Sequence, residues 1–235
     1  MGVLIRDKQA SYEDYFTAIV SAVENPISVS YFGKSGIRED LRLGEFSGAG
    51  KKGAFIPTGS GATLSDVGIS CAASGTGGPN RFISSNGNTS GAAAIMVVGT
   101  FSNAQAFSFA NARVSLDGSR VFRILDQAGG TRVGVKSAPS GPCLLYLNSN
   151  VNSIDFGSVN KDGIISKDTQ ANPSVTFTSP SSVNYIGGQG HVSSAQGPTT
   201  FYAQAMFNRY LTDAEISAQA IQLIAYANSL GVNIS

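Results

Sequence analysis

Glycine-bearing turn dipeptides cut this chain into pieces too short for ordinary helices. Asn86-Gly87, Asp117-Gly118, Gly129-Gly130, Asp162-Gly163 and Gly187-Gly188 mark reversals through its middle, because glycine accepts the positive φ that tight turns require. Between such signals lie short apolar or alternating runs: Gly53–Pro57, Val67–Ala72, Arg81–Ser84, Ala92–Phe101, Ala106–Ala110, Arg120–Asp126, Thr131–Lys136, Cys143–Asn148, Ser153–Phe156, Ser174–Thr178, Val183–Ile186 and Thr199–Asn208. Ala92–Val98 is apolar at every position, as a strand buried on both faces would be. In the last run Phe201, Ala203, Ala205 and Phe207 alternate with Tyr202, Gln204, Met206 and Asn208, which predicts a strand with two unlike faces. Short strands at this spacing, without helices between them, predict an all-β fold, an antiparallel sandwich.

Helical spacing occurs only near the two ends. Ser11 is a candidate N-cap with Glu13 and Asp14 in the first turn, and Tyr12, Tyr15, Phe16, Ile19, Val20 and Val23 form one apolar stripe before Asn25-Pro26 stops the helix. Ile27–Phe32 then reads as a strand. Two roles stand open for the stripe: covering the domain's own core, or docking onto another subunit. At the other end Thr212-Asp213-Ala214-Glu215 is a capping box, Ile216, Ala220, Leu223, Ile224 and Ala227 follow at helical spacing, and Gly231 suits the C′ position. That predicts a capping helix over 213–229.

Charge divides the chain unevenly. Residues 1–52 carry fourteen of its thirty-one charged side chains, and Gly44–Gly53 is rich in glycine. The reading is an anchoring segment over 1–45, containing the amphipathic helix, and a sandwich over 46–235. A formal net charge of +1 excludes the basic excess of a nucleic-acid binder. Hydrophobic content of 42% excludes a disordered chain. The apolar run Ala92–Val98 is far below the roughly 20 residues of a membrane span, so no membrane insertion is expected. Met1–Lys8 lacks the cationic start and apolar stretch of a secretory signal. Two cysteines, Cys71 and Cys143, are too few for a disulfide scaffold, and free thiols are expected.

The last third resembles the concanavalin A-like (laminin-G-like) lectin and glucanase jelly rolls. Leu145-Tyr146-Leu147-Asn148-Ser149-Asn150 looks like their tyrosine–x–asparagine–glycine strand and turn, with Ser149 where glycine is usual. Val183-Asn184-Tyr185-Ile186-Gly187-Gly188 looks like their isoleucine–glycine strand. Asn208-Arg209-Tyr210-Leu211-Thr212-Asp213-Ala214-Glu215-Ile216 closely matches their closing motif. The resemblance covers residues 143–216, extends less clearly back to about 53, and has no counterpart in 1–45. It implies that Leu211 and Ile216 pack the last helix on a jelly-roll sandwich while Thr212 caps it, with Asn208, Arg209 and Glu215 completing the motif. Domains of this kind with an extra N-terminal segment look like those of tailed-bacteriophage virion proteins, as capsid decorations, head fibres or tail components.

Catalytic patterns are missing. Glucanases of that superfamily present a Glu-x-Asp-x-x-Glu strand, with two carboxylates about 5–5.5 Å apart for retention or about 6.5–9.5 Å for inversion. The only glutamate after Glu45 is Glu215, taken up by capping, and Asp117, Asp126, Asp155, Asp162 and Asp168 are scattered. His191 is the only histidine and lies in a glycine-rich loop, so the usual histidine zinc sets cannot form. Gly33-Lys34-Ser35 lacks the upstream glycine of a phosphate loop, that position being Ser28. No cofactor is expected. A structural calcium ion would leave little trace, with Asp117, Asp155 or Asp162 as candidates, although aspartate beside glycine is more often a turn former. Tyr146, Tyr185 and Tyr202 could line a sugar-binding face or pack in the sheet.

The expectation is therefore no enzyme but a structural or decoration protein of a tailed-phage virion, assembled in the host cytoplasm. Its partners would be other virion proteins, further copies in a homo-oligomer, and host-surface glycans, with no nucleic acid. Tyr12, Tyr15, Phe16, Ile19, Val20 and Val23 would form the assembly interface. The alternative is a glycan-binding adhesin, and a polysaccharide-degrading enzyme is the remote one. Deleting residues 1–40 should leave a folded sandwich that no longer joins its particle.

Overall fold

The computed structural model describes residues 21–32, 55–58, 62–65, 68–72, 81–84, 93–101, 105–109, 112–116, 119–125, 131–150, 152–171, 184–187 and 198–234. Fifteen strands and one helix occupy these residues: β1 (Pro26–Tyr31), β2 (Phe55–Thr58), β3 (Ala62–Ser65), β4 (Gly68–Cys71), β5 (Arg81–Ser84), β6 (Ala93–Phe101), β7 (Gln105–Phe109), β8 (Ala112–Leu116), β9 (Val121–Leu125), β10 (Thr131–Ser137), β11 (Pro142–Ser149), β12 (Ser153–Val159), β13 (Ile165–Ala171), β14 (Asn184–Gly187), β15 (Thr199–Phe207) and α1 (Asp213–Ser229). The expected run at Ser174–Thr178 lies outside the described residues. Strands β3, β8 and β13 were not among the expected runs.

Two antiparallel sheets result. The larger has eight strands, in the order β13-β12-β11-β6-β15-β4-β3, with β1 added beside β15; the other has seven, in the order β10-β9-β8-β7-β14-β5-β2. The chain crosses between sheets repeatedly, so β6, β11 and β15 become neighbours in the larger one although they are far apart in sequence. At one edge the sheets are stitched together, where Lys136 of β10 donates its backbone N–H to Asp168 Oδ2 of β13 at 3.0 Å. This occupies an amide that an edge strand would otherwise leave open.

Both faces of the larger sheet are buried. Ile95, Val97, Phe101, Cys143, Leu145, Leu147, Ile154 and Phe156 join Leu116 and Phe122 of the second sheet in the inter-sheet core. Ala94, Met96, Val98, Leu144, Tyr146 and Val159 point the other way, into a second core closed by Ile216, Ala220, Leu223, Ile224 and Ala227 of α1. Each fully buried Leu or Ile of that helix contributes roughly 1.5–3 kcal/mol of transfer free energy. The all-apolar run in β6 follows from this double burial. The two unlike faces expected of β15 do not: Phe201–Phe207 is buried throughout. A register shift between Phe201 and Ala203 places Phe201 in the inter-sheet core while Ala203 and Ala205 face the helix. A bulge of this kind inverts the alternation and leaves no mark in composition.

Residues 21–32 belong to the larger sheet. Strand β1 pairs antiparallel with β15 from Pro26–Phe207 to Tyr31–Ala203, and Val23, Val29 and Tyr31 lie in the helix-side core. Val23 thus takes the first of the two roles open to the stripe, while Tyr12, Tyr15, Phe16, Ile19 and Val20 lie outside the described residues. A cut at residue 40 would remove this strand and four buried core side chains, Val23, Val29, Tyr31 and Phe32. At the other end, the predicted Asp162-Gly163 turn joins β12 to β13, with Gly163 at φ +77 and its N–H donated to the Asn160 carbonyl at 3.0 Å.

Candidate functional site

The closing motif forms a clasp between α1 and the sheet. Thr212 is the N-cap: Glu215 N–H donates to Thr212 Oγ1 at 3.3 Å, and Thr212 N–H donates to Glu215 Oε2 at 2.9 Å, the reciprocal pair of a capping box. Arg209 Nη2 meets Glu215 Oε1 at 2.6 Å. These contacts, Arg209 first, hold the Glu215 carboxyl down at about 2. Leu211 and Ile216 are both wholly buried, whereas Asn208 is exposed. At the far end Gly231 occupies the C′ position at φ +83. Its N–H donates to the Asn228 carbonyl at 3.0 Å and that of Val232 to Ala227 at 3.2 Å, which is a Schellman closure.

Beside the clasp a charged cluster closes the gap between the helix N-terminus and strands β12 and β13. Lys167 Nζ lies 2.7 Å from Asp213 Oδ1 and 3.7 Å from Asp155 Oδ2. Tyr210 Oη donates to the same Asp155 oxygen at 2.5 Å. The hydrogen bond that Lys167 donates to Asp213 raises its ammonium above the ordinary value, and burial, with the bond to Asp155 second, does the same to Tyr210. The two carboxylates share a single ammonium, and Asp155 is 2% exposed. No sugar ring can reach both, so the arrangement supplies no acid–base pair of the glycosidase kind.

The remaining candidates resolve individually. Asp162 is exposed and paired with Lys161 at 3.1 Å in its turn, the turn-forming role. Asp168 ties the sheet edges together. Among the described residues no group of three His, Cys, Asp or Glu side chains could hold a metal ion. Asp117, Asp126 and His191 lie outside the described residues, as does the Gly33-Lys34-Ser35 stretch. Tyr146 and Tyr202 are buried in the helix-side core, which removes them from any sugar platform; burial pushes the Tyr146 hydroxyl far up. Of Tyr185 only the backbone is described. Cys71 and Cys143 are buried and not joined in a disulfide, and burial lifts the Cys143 thiol to about 12 despite the nearby Arg120 guanidinium.

Two contributors escaped the sequence reading. Asn148 belongs to the strand motif, and its side chain also binds the backbone of Leu211. Arg120 adopts φ 61, uncommon for a side-chain-bearing residue. From there its guanidinium donates to the carbonyls of Phe101, at 2.7 Å, Ala138 and Pro139, gathering the ends of β6 and β10. The Asp117-Gly118 signal just before it marks the turn, but nothing local marks an arginine in that conformation.

No family profile matches the chain, and no curated protein does. Solved structures do match. The binding domain of botulinum neurotoxin DC, solved with rat synaptotagmin II, aligns at a TM-score of 0.59 and 13% identity over 88% of this chain and 52% of that one. The same binding domain in complex with SialylT gives 0.58 and 10%, over 89% and 52%. The binding domain of Paraclostridial Mosquitocidal Protein 1 gives 0.59 and 12%, over 86% and 52%. The chain spans about half the length of these proteins, and at such identities the likeness is one of fold: a β-rich, two-sheet body shared with toxin binding domains.

Proposed function

We propose that the chain is a non-enzymatic structural module of a tailed-phage virion, a jelly roll of the concanavalin A-like kind with a lectin-like outward part. The observation that carries this reading is the clasp. The charged side chains of the closing motif are taken up in the clasp and beside it, Glu215 by Arg209 and Thr212, and Asp213 by Lys167 of β13. The solved structures it resembles are binding domains, which supports a recognition or scaffolding role. In this reading the segment before Ser21 reaches other virion proteins, and the particle is assembled in the host cytoplasm. Mass spectrometry of purified particles tests it: the chain should be recovered at stoichiometric copy number, and its absence from washed particles would reject the virion role.

A second reading, a glycan-binding adhesin, is favoured by the likeness to a binding domain solved with SialylT. Because α1 covers the outer face of the larger sheet and Tyr146 and Tyr202 are buried there, a sugar would have to bind elsewhere, at loops or on the second sheet. A glycan array run with and without calcium decides this, and uniformly null binding removes it.

A further inference from the structure

Helix α1 carries no charge from Ser217 to Ser229. Opposite its buried face runs a second apolar row, Ala214, Ala218, Ile221 and Ala225, at spacings of four, three and four residues that keep all of them on one side of a helix. All four are exposed, Ile221 by 44%. Among the described residues the other exposed large hydrophobic side chain is Ile164, at 66%. It follows Gly163, whose added methyl would lie 3.0 Å from Ile221 Cδ1, so the two isoleucines border one surface. A helix at a protein surface normally turns charge outward; one that is apolar on both sides is covered on both sides.

Twenty residues precede Ser21, and they join the body beside this same helix. Ser21 Oγ lies 2.7 Å from Gln219 Oε1, and Ala22 N–H donates to Gln222 Oε1 at 2.7 Å. Those twenty residues hold the sequence's other apolar row at helical spacing: Tyr12, Tyr15, Phe16, Ile19 and Val20. We propose that the outer face of α1 receives the Tyr12–Val20 row from a second copy of the chain, bulky aromatic side chains seating between alanines. Among the described residues none covers the α1 row, and each segment starts at the flank of a receiving helix. Two copies set α1 to α1 therefore exchange segments over a short distance, making a closed, self-complementary contact. This rests on the reading of the protein as a module of a larger assembly and names its first partner.

Sedimentation velocity on the full-length chain, together with cysteine cross-linking between two differently tagged chains, tests the contact. The wild type should sediment as a dimer or larger species, and Ala218→Glu and Phe16→Glu should each bring it to monomer mass. Ala218→Glu, at an exposed position, should leave the thermal midpoint within a degree or two. A Phe16→Cys chain mixed with an Ala218→Cys chain should give a disulfide-linked heterodimer, since Cys71 and Cys143 are buried. A monomeric wild type, an oligomer that survives both glutamates, or a disulfide formed only when both cysteines share one chain would each overturn the proposal. Neither sugar binding nor particle occupancy enters the readout, so it fails separately from the virion reading.

Discussion

The side-chain amide of Asn148 grips the backbone of Leu211: Nδ2–H donates to the Leu211 carbonyl at 2.8 Å, and the Leu211 N–H donates to Oδ1 at 2.9 Å. Both residues are fully buried. The pair fastens the chain just ahead of α1 to the middle of the larger sheet, which sets where the helix begins its course across that face.

Replacing Asn148 with leucine leaves a buried N–H and a buried carbonyl without partners. Each such group costs about 1–3 kcal/mol, so Asn148→Leu should lower the unfolding free energy by roughly 2–6 kcal/mol in urea denaturation. Thr212→Ala, at the exposed end of the same clasp, should cost about 1 kcal/mol. A leucine variant within 0.5 kcal/mol of wild type, taking about 0.5 as the size of ordinary surface effects, would mean that the helix is positioned by other contacts.

The clasp also responds to acid. The Glu215 carboxyl, held at about 2 in the folded chain against an ordinary 4.5, binds its proton more weakly folded than unfolded. Its contribution is complete above the ordinary value and drains away as pH falls toward 2. The stability difference between wild type and Glu215→Gln should therefore shrink between pH 5 and pH 2 in parallel urea titrations, with about 4.5 to 2 as the active window. A difference constant across that range would remove the Arg209–Glu215 contact from the account.

Truncation separates the body from its leading segment. Removing residues 1–20 leaves β1 on β15 and Val23 in the core, so a cooperative thermal transition should remain. Removing residues 1–40 deletes β1 together with Val23, Val29, Tyr31 and Phe32, all buried, and should abolish that transition and yield aggregated protein. Equal melting of the two truncations would show that β1 is dispensable.

Thiol chemistry reports on the inter-sheet core. Cys71 and Cys143 both lie in it, and a thiol lifted to about 12 has almost no thiolate at neutral pH. Ellman's reagent should find no reactive thiol in the native chain and two after denaturation. Fast reaction of either in the native state would place it at the surface.

Local features were legible in the sequence, and long-range ones were not. The capping box, the Gly231 closure and the Asp162-Gly163 turn depend on residues within a few positions of each other, so spacing reveals them. The apolar run in β6 declares double burial by composition alone. Strand β13, Ile-Ser-Lys-Asp-Thr-Gln-Ala, is half exposed at a sheet edge, so it is specified by its register with β12 and by contacts to β10 and α1, which periodicity does not carry. The bulge in β15 and the Asn148–Leu211 pair likewise arise from strands brought together by topology. The tyrosines illustrate the same limit: a face that seemed free to bind sugar is occupied by a helix some 70 residues beyond Tyr146.

Whether the two-sheet body is built into a particle, as proposed, is tested most directly by a cryo-EM map of purified particles. It should show density for the eight-stranded sheet with α1 turned toward a neighbouring subunit. A map without this body, with the chain recovered only as a soluble monomer that cleaves polysaccharide, would contradict it.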